Sequence, residues 1–369
     1  MSNILKKLLC LGLSALLLFG CLSACGGTSE TATTVETVGL ATPTVQTTAP
    51  TETEPAPTEP APTEPAEEAK VLKVLTLGHS LAVDSNHMIN LVSATEGIGE
   101  YEELIIGTLY YSGCRLSQHV AFIQSGEAAY NLYMSSTATA DQPPKILNEM
   151  TMQQALTFEY WDIIVMMGNP WEIDSAGAFE NGSIQTIQKF VNEHKMNPLA
   201  YFAWHMPWAM PGDTDLLKMY PHEPNSHYNN ALTYGLDKSA HFYAMTRCVE
   251  QYILPDETFK FVIPTGTAIQ NAWSGYMEDK DLHRDYFHAT DMARAMTSYV
   301  WYCKLMGIEK LEEIKLDAIP KAFLKSTEDK TQDRVLTEAE KAVMLESINN
   351  ALANPYQMTQ SQYTENPVQ

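Results

Sequence analysis

Apolar and polar positions follow two rhythms along this chain. Short apolar runs, ended by Gly, Pro, Ser or Asn, recur at Val71–Leu77 ("VLKVLTL"), Glu103–Tyr111 ("ELIIGTLYY"), Trp161–Pro170 ("WDIIVMMGNP"), Pro198–Trp204 ("PLAYFAW") and Phe259–Gly266 ("FKFVIPTG"). Runs of this length and composition predict buried strands. Between them the apolar positions fall at helical spacing, over Asn86–Glu96, Ile184–Glu193, Tyr228–Tyr252 with a weak point at Gly235, and Asp291–Leu305. The stretch Leu116–Leu156 is mixed, with "SSTATADQPP" reading as a loop and "MTMQQAL" as a helix. Thr337–Ala353 predicts a last helix, opened by Thr337 and Glu340 at capping-box spacing. The residues after it are expected to fray.

Apolar strands alternating with amphipathic helices imply an α/β fold: a parallel sheet of about five strands, helices on both faces in a three-layer sandwich, and a C-terminal helical extension. Ligand sites in such sheets form at the carboxyl ends of the strands. Gly78-His79-Ser80, Ser112-Gly113, Gly168-Asn169 and Thr265-Gly266 each follow an expected strand, so all four are expected on one rim.

The first residues follow neither rhythm. Lys6 and Lys7 precede an apolar run, Leu8–Leu22, that suits a secretory signal and is short for a bilayer span. The run ends in Leu22-Ser23-Ala24-Cys25, which resembles a bacterial lipobox. That resemblance implies cleavage before Cys25, lipidation of Cys25, and an extracytoplasmic protein anchored to the bacterial cell membrane; a plain signal peptide is the alternative. From Gly26 to Ala69 the chain is rich in Thr, Pro, Glu and Ala, including "PAPTEPAPTEP", and has almost none of the large apolar side chains a core needs. Such a chain is an extended tether with a reach on the order of 130 Å. The expected organisation is therefore a signal peptide (1–24), a tether (25–69), a folded domain (70–325) and a helical extension with its tail (326–369).

The chain carries 23 Lys and Arg against 45 Asp and Glu, and most of the excess lies outside the tether. An acidic surface of this kind argues against nucleic acid as a partner and favours a neutral glycan or small ester. Cys114, Cys248 and Cys303 remain in the folded part. Three cysteines make no disulfide framework, although one bridge is possible, and their spacing does not resemble a zinc site, so they read mainly as core. No phosphate-cradling loop or dinucleotide fingerprint is present, so no cofactor and no metal are expected.

Ser80, at the end of the first strand, is either a nucleophile or the cap of the next helix. A nucleophile needs a base and an orienting acid. "RDYFHAT" supplies Asp285 and His288 at a spacing that lets the carboxylate fold back onto the ring nitrogen. Asp84 and His87 repeat that spacing so close to Ser80 that a turn or helix cap is the better reading. The blocks "LGHSLAVD", "YYSGCRL", "IPTGTAIQNAW" and "RDYFHAT", with a Gly-Asn after the third strand, resemble the SGNH (GDSL-type) hydrolases, and more narrowly the domain-of-unknown-function family 4886, over roughly Val71–Gly307. The resemblance implies Ser80 as nucleophile, His288 as base and Asp285 as its partner. It further implies an oxyanion hole from the Ser80 and Gly113 backbone amides and the Asn169 side chain. Two departures stand out: His79 replaces the usual acid before the serine, and Gly168-Asn169-Pro170 lacks the family's spacer. His79, Trp204, His205, Trp208 and Trp273, near strand ends, are candidates to hold substrate. The resulting expectation is a surface-anchored serine esterase acting on short acyl, chiefly acetyl, esters of glycans. The alternatives are an inactive glycan-binding lipoprotein that uses Trp204, Trp208 and Trp273 as a platform, and an acyltransferase.

Overall fold

The structure, a computed structural model, describes residues 69–210, 238–285, 287–320, 323–325 and 332–365. The signal segment, Cys25 and the tether as far as residue 68 lie outside the described residues. So do residues 211–237, which include the first part of the helix expected over Tyr228–Tyr252.

Strands β1 (Val71–Gly78), β2 (Glu103–Tyr110), β3 (Tyr130–Ser136), β4 (Lys145–Met150), β5 (Ile163–Met167), β6 (Tyr201–His205) and β7 (Phe259–Ile263) alternate with helices. The helices are α1 (Ser80–Ser85), α2 (Ile89–Glu96), α3 (Leu116–Ser125), α4 (Met152–Leu156), α5 (Gly177–Glu180), α6 (Ser183–His194), α7 (Lys238–Cys248), α8 (Thr265–Trp273), α9 (Asp279–Leu282), α10 (Asp291–Met306) and α11 (Glu338–Ala353). The described strands form one seven-stranded sheet in the order β4-β3-β2-β1-β5-β6-β7. Five of them, β2-β1-β5-β6-β7, run parallel, as the apolar runs imply. The chain winds outward from β1 first on one side and then on the other, which leaves a crevice where the direction reverses.

Side chains of β1 alternate between two cores. Leu72 and Val74 enter the core shared with α1, α2, α8, α10 and α11. Leu75 and Leu77 enter the core shared with α3, α4, α6 and α7. A strand buried on both faces reads as one continuous apolar run, and this is why the parallel strands stand out in the sequence.

Three expectations are corrected. The mixed stretch holds two antiparallel strands, β3 and β4, which extend the sheet beyond β2. Most of their side chains are only partly covered, so "YNLYMSS" and "KILNEM" lack the apolar continuity of a central strand. The last strand stops at Ile263, and Thr265 opens α8, whose residues are all buried and so show no polar face to mark a helix. The tail is also held as far as Tyr363, while the last residues, 366–369, lie outside the described residues. The Thr359 N–H donates to Asn271 Oδ1 (2.8 Å), the Ser361 N–H to Ser274 Oγ (2.8 Å) and the Tyr276 N–H to the Tyr363 carbonyl (3.0 Å).

Helix α11 opens on the expected capping box: Thr337 Oγ1 accepts from the Glu340 N–H (3.2 Å), and the Glu340 carboxylate accepts from the Thr337 N–H (2.7 Å). Cys114, Cys248 and Cys303 are buried free thiols. No helix among the described residues is long and apolar enough to cross a membrane.

Candidate active site

The turn from β1 into α1 is tight. A Cβ on Gly78 would lie 2.9 Å from Ala82 Cβ, so a side chain there would push the helix off the strand. His79 is the N-cap, with an extended backbone and Nδ1 accepting from the Leu81 N–H at 3.4 Å. It does the work that a short polar side chain usually does at this position. With Nδ1 accepting, the ring proton sits on Nε2. Burial, then the nearby His119, lower the His79 pKa to about 3, against the Gly168 carbonyl, which raises it. The ring is thus a neutral cap whose Nδ1 is engaged by the helix, and it also lines the cavity described below. Ser80 is the first residue of α1, so its amide is among those a helix start leaves without an intrahelical acceptor.

Asp285 and His288 sit in a loop closed by a bridge between His283 and Ala289 and by the Arg284 N–H donating to the His288 carbonyl (2.9 Å). Asp285 Oδ1 accepts from the Phe287 N–H (3.0 Å) and the His288 N–H (2.8 Å), while Oδ2 meets His288 Nδ1 at 2.8 Å. Burial alone would raise the Asp285 pKa, but the bonds from Phe287 and His288 outweigh it and hold the carboxyl below its ordinary value. An ionised Oδ2 makes Nδ1 the donor and leaves Nε2 as the basic nitrogen of His288.

One helical turn beyond Ser80, Asp84 ties this loop to α1. Its buried carboxylate accepts from Arg284 Nη1 with both oxygens (3.0 Å each), from Arg294 Nε (3.0 Å) and Nη2 (2.6 Å), and from the Ala289 N–H (3.0 Å). Arg284 also donates to the Ala289 carbonyl. The contacts fall just outside Asp285 and His288 on either side, so the helix that carries Ser80 also fixes the loop that carries the histidine. A second strut is Trp208, whose indole N–H donates to the Phe287 carbonyl (2.8 Å).

Two further loops meet Ser80 from β2 and β5. Gly113 has φ +60°, the left-handed region that favours glycine. Asn169 Nδ2 donates to the Gly113 carbonyl (3.0 Å), and its Oδ1 accepts from the Trp171 N–H (3.0 Å). An amide nitrogen carries two hydrogens, so one remains for a ligand. The Glu172 carboxylate accepts from the Leu116 N–H (3.0 Å) and binds the same two loops again; burial raises its pKa, opposed by that bond and by Arg115.

His79, Ser80, Gly113, Asn169 and His288 line one cavity of about 180 Å³. Leu81, Tyr110, Ser112, Trp171, Met210 and Phe287 complete its wall, and of these sequence reasoning placed only Ser112 on the rim. The available signal was position: Tyr110 ends β2, and Trp171 lies two residues beyond Asn169. The other proposed substrate residues do not reach the cavity. Trp204 is fully buried between Phe179 and Phe259, at centroid distances of 6.0 and 5.8 Å. His205 is buried with Nε2 on Thr265 Oγ1 (2.7 Å), Trp208 acts as the strut just described, and Trp273 packs on His283 at 4.8 Å. Proximity to a strand end selected these residues, but the chain after β6 turns inward beneath the rim. Thr265-Gly266 lies in the same layer: Thr265 Oγ1 donates to the Met206 carbonyl (3.0 Å).

The family model described as Domain of unknown function (DUF4886) matches residues 73–320. A crystal structure of a DUF4886 family protein from Bacteroides uniformis superposes with a TM-score of 0.62 at 19% identity, covering 80% of this chain and all (100%) of that one. A protein from Slackia heliotrinireducens, given a provisional label as an SGNH hydrolase, gives a TM-score of 0.37 at 16% identity, covering 63% of this chain and 98% of that one. That second superposition is too loose to establish a shared fold. The search of curated proteins returns no match.

Proposed function

We propose that this chain, which belongs to the DUF4886 family, is a serine ester hydrolase that removes short acyl groups, chiefly acetyl, from glycans. The observation that carries the reading is the joint placement of Ser80 and an Asp285-oriented His288 on one small cavity. Ser80 Oγ attacks the ester carbonyl carbon as His288 Nε2 takes its proton. The Ser80 and Gly113 amides and the second hydrogen of Asn169 Nδ2 receive the oxyanion. Collapse expels the alcohol, which takes the proton back from His288 and leaves an acyl-serine. Water, deprotonated by His288, attacks the acyl carbonyl; collapse breaks the bond to Ser80 Oγ, which takes the proton back from His288, and releases the acid. A cavity of about 180 Å³ walled by Tyr110, Trp171 and Phe287 suits a short acyl group.

The chain is proposed to work outside the cytoplasm, held by lipid on Cys25 through the tether. A binding platform of Trp204, Trp208 and Trp273 is not a competing reading, because all three are buried. The test compares p-nitrophenyl acetate hydrolysis and fluorophosphonate labelling in wild type and Ser80→Ala. Loss of both to background is expected; equal rates in the two proteins would remove the proposal.

A further inference from the structure

We infer that a second cavity, separated from the first by a pair of tyrosines, receives a neutral sugar unit of the substrate. Its volume is about 250 Å³, below the roughly 300–1,000 Å³ of drug-sized pockets and on the scale of one ring. The two cavities share walls. Tyr110 lines the first and Tyr133 the second, and their rings meet edge to face at 5.4 Å and 78°. Helix α1 likewise gives Ser80 and Leu81 to one and Val83 to the other.

The wall chemistry selects the ligand. Tyr133 and Pro143 offer carbon surface, while Asn86, Asn90, Ser135 and Gln142 offer amides and hydroxyls. No Lys or Arg lines the cavity, whose ionisable wall residues include His87 and Asp141, so no fixed positive charge there attracts an anion. Val83, Ile106, Pro144 and Phe323 add further carbon surface, so the wall is mixed. A sugar ring, apolar on its faces and hydroxylated at its edge, fits both kinds of surface. Asn86 Nδ2 is committed to Thr108 Oγ1 (3.0 Å) and Asn90 Nδ2 to Ser135 Oγ (2.8 Å), which sets the orientation of both amides. The buried Oδ1 of Asn90, a residue of this wall, has no hydrogen-bond partner among the described residues.

The inference rests on the ester hydrolase reading, since it places the sugar beside the scissile ester, and its test separates the two. Calorimetry on the full chain carrying Ser80→Ala excludes turnover, and the probes are unacylated cellotetraose, xylotetraose and chitotetraose. At least one should bind saturably, and Tyr133→Ala and Gln142→Ala should each weaken it about tenfold or more at an unchanged melting temperature. Gln142 is exposed on a loop, so that variant carries the test if Tyr133→Ala unfolds. No binding tighter than about 10 mM, or equal affinity in Gln142→Ala, would overturn the inference. Fluorophosphonate labelling of Ser80 is scored separately in the wild-type chain. Labelling without sugar binding removes only the second site. Sugar binding without labelling removes the hydrolase, and with it the claim that the sugar belongs to a substrate.

Discussion

Replacing Asp84 by Asn tests whether α1 positions the histidine loop. The substitution preserves volume and one acceptor oxygen but removes the charge that faces Arg284 and Arg294. Removing one partner of a buried ion pair costs about 3–5 kcal/mol. The two arginine side chains are 26% and 17% exposed, so water can reach them in part, and the low end, about 3 kcal/mol, is expected. Domains are stable by roughly 5–15 kcal/mol, so the variant should remain folded at 25 °C. The effect on chemistry is separate. Without the clamp the segment from Arg284 to Ala289 keeps its internal bonds and the Trp208 strut, and a displacement near 1 Å at His288 costs about 100-fold in rate. A urea titration gives the stability, and the rate of fluorophosphonate labelling reports Ser80 activation without knowledge of the substrate. A loss in both is expected. A variant that loses stability yet labels at the wild-type rate would show that Asp84 is structural only, and the positioning argument would fall.

Other outcomes follow from the same geometry. Asn169→Ala should lower kcat by about 10²–10³ on p-nitrophenyl acetate; a folded variant with unchanged kcat would remove Asn169 from the oxyanion hole. Trp208→Phe deletes the indole N–H and leaves a buried gap, so it should cost more than the about 1 kcal/mol of one hydrogen bond, read by thermal melting, and should slow labelling of Ser80; a wild-type labelling rate would refute its part in holding Phe287. His79, His119 and His205 are buried, chiefly by which their pKa values are lowered to about 3, about 4 and about 3. Below about pH 6.5 the unfolded chain binds protons that the native rings refuse, so stability is full above that pH and falls as acid is added. Each ring contributes about 1.4 kcal/mol per pH unit, or about 2 kcal/mol between pH 6.5 and 5; urea midpoints that stay flat over that window would contradict the burial of these rings.

What could be read from the sequence, and what could not, follows burial and distance. The five parallel strands are legible because both faces of each are covered. Strands β3 and β4, at one side of the sheet, are partly covered and lack that signature, and α8 is buried all round and so has no amphipathic period. Strand ends locate Ser80, Gly113 and Asn169, and local spacing pairs Asp285 with His288. Position along the chain says nothing about direction, so Trp204 and Trp208 look available on a rim that they in fact underpin. Asp84 looks like a local turn residue because its partners Arg284 and Arg294 are 200 and 210 positions away.

That separation makes the finished fold a condition for reactivity. A nascent or half-threaded chain holds the serine long before it holds the arginines and histidine that complete the pocket. On the proposed reading an incompletely folded chain is chemically silent, and Ser80 gains its base only once the last third has docked.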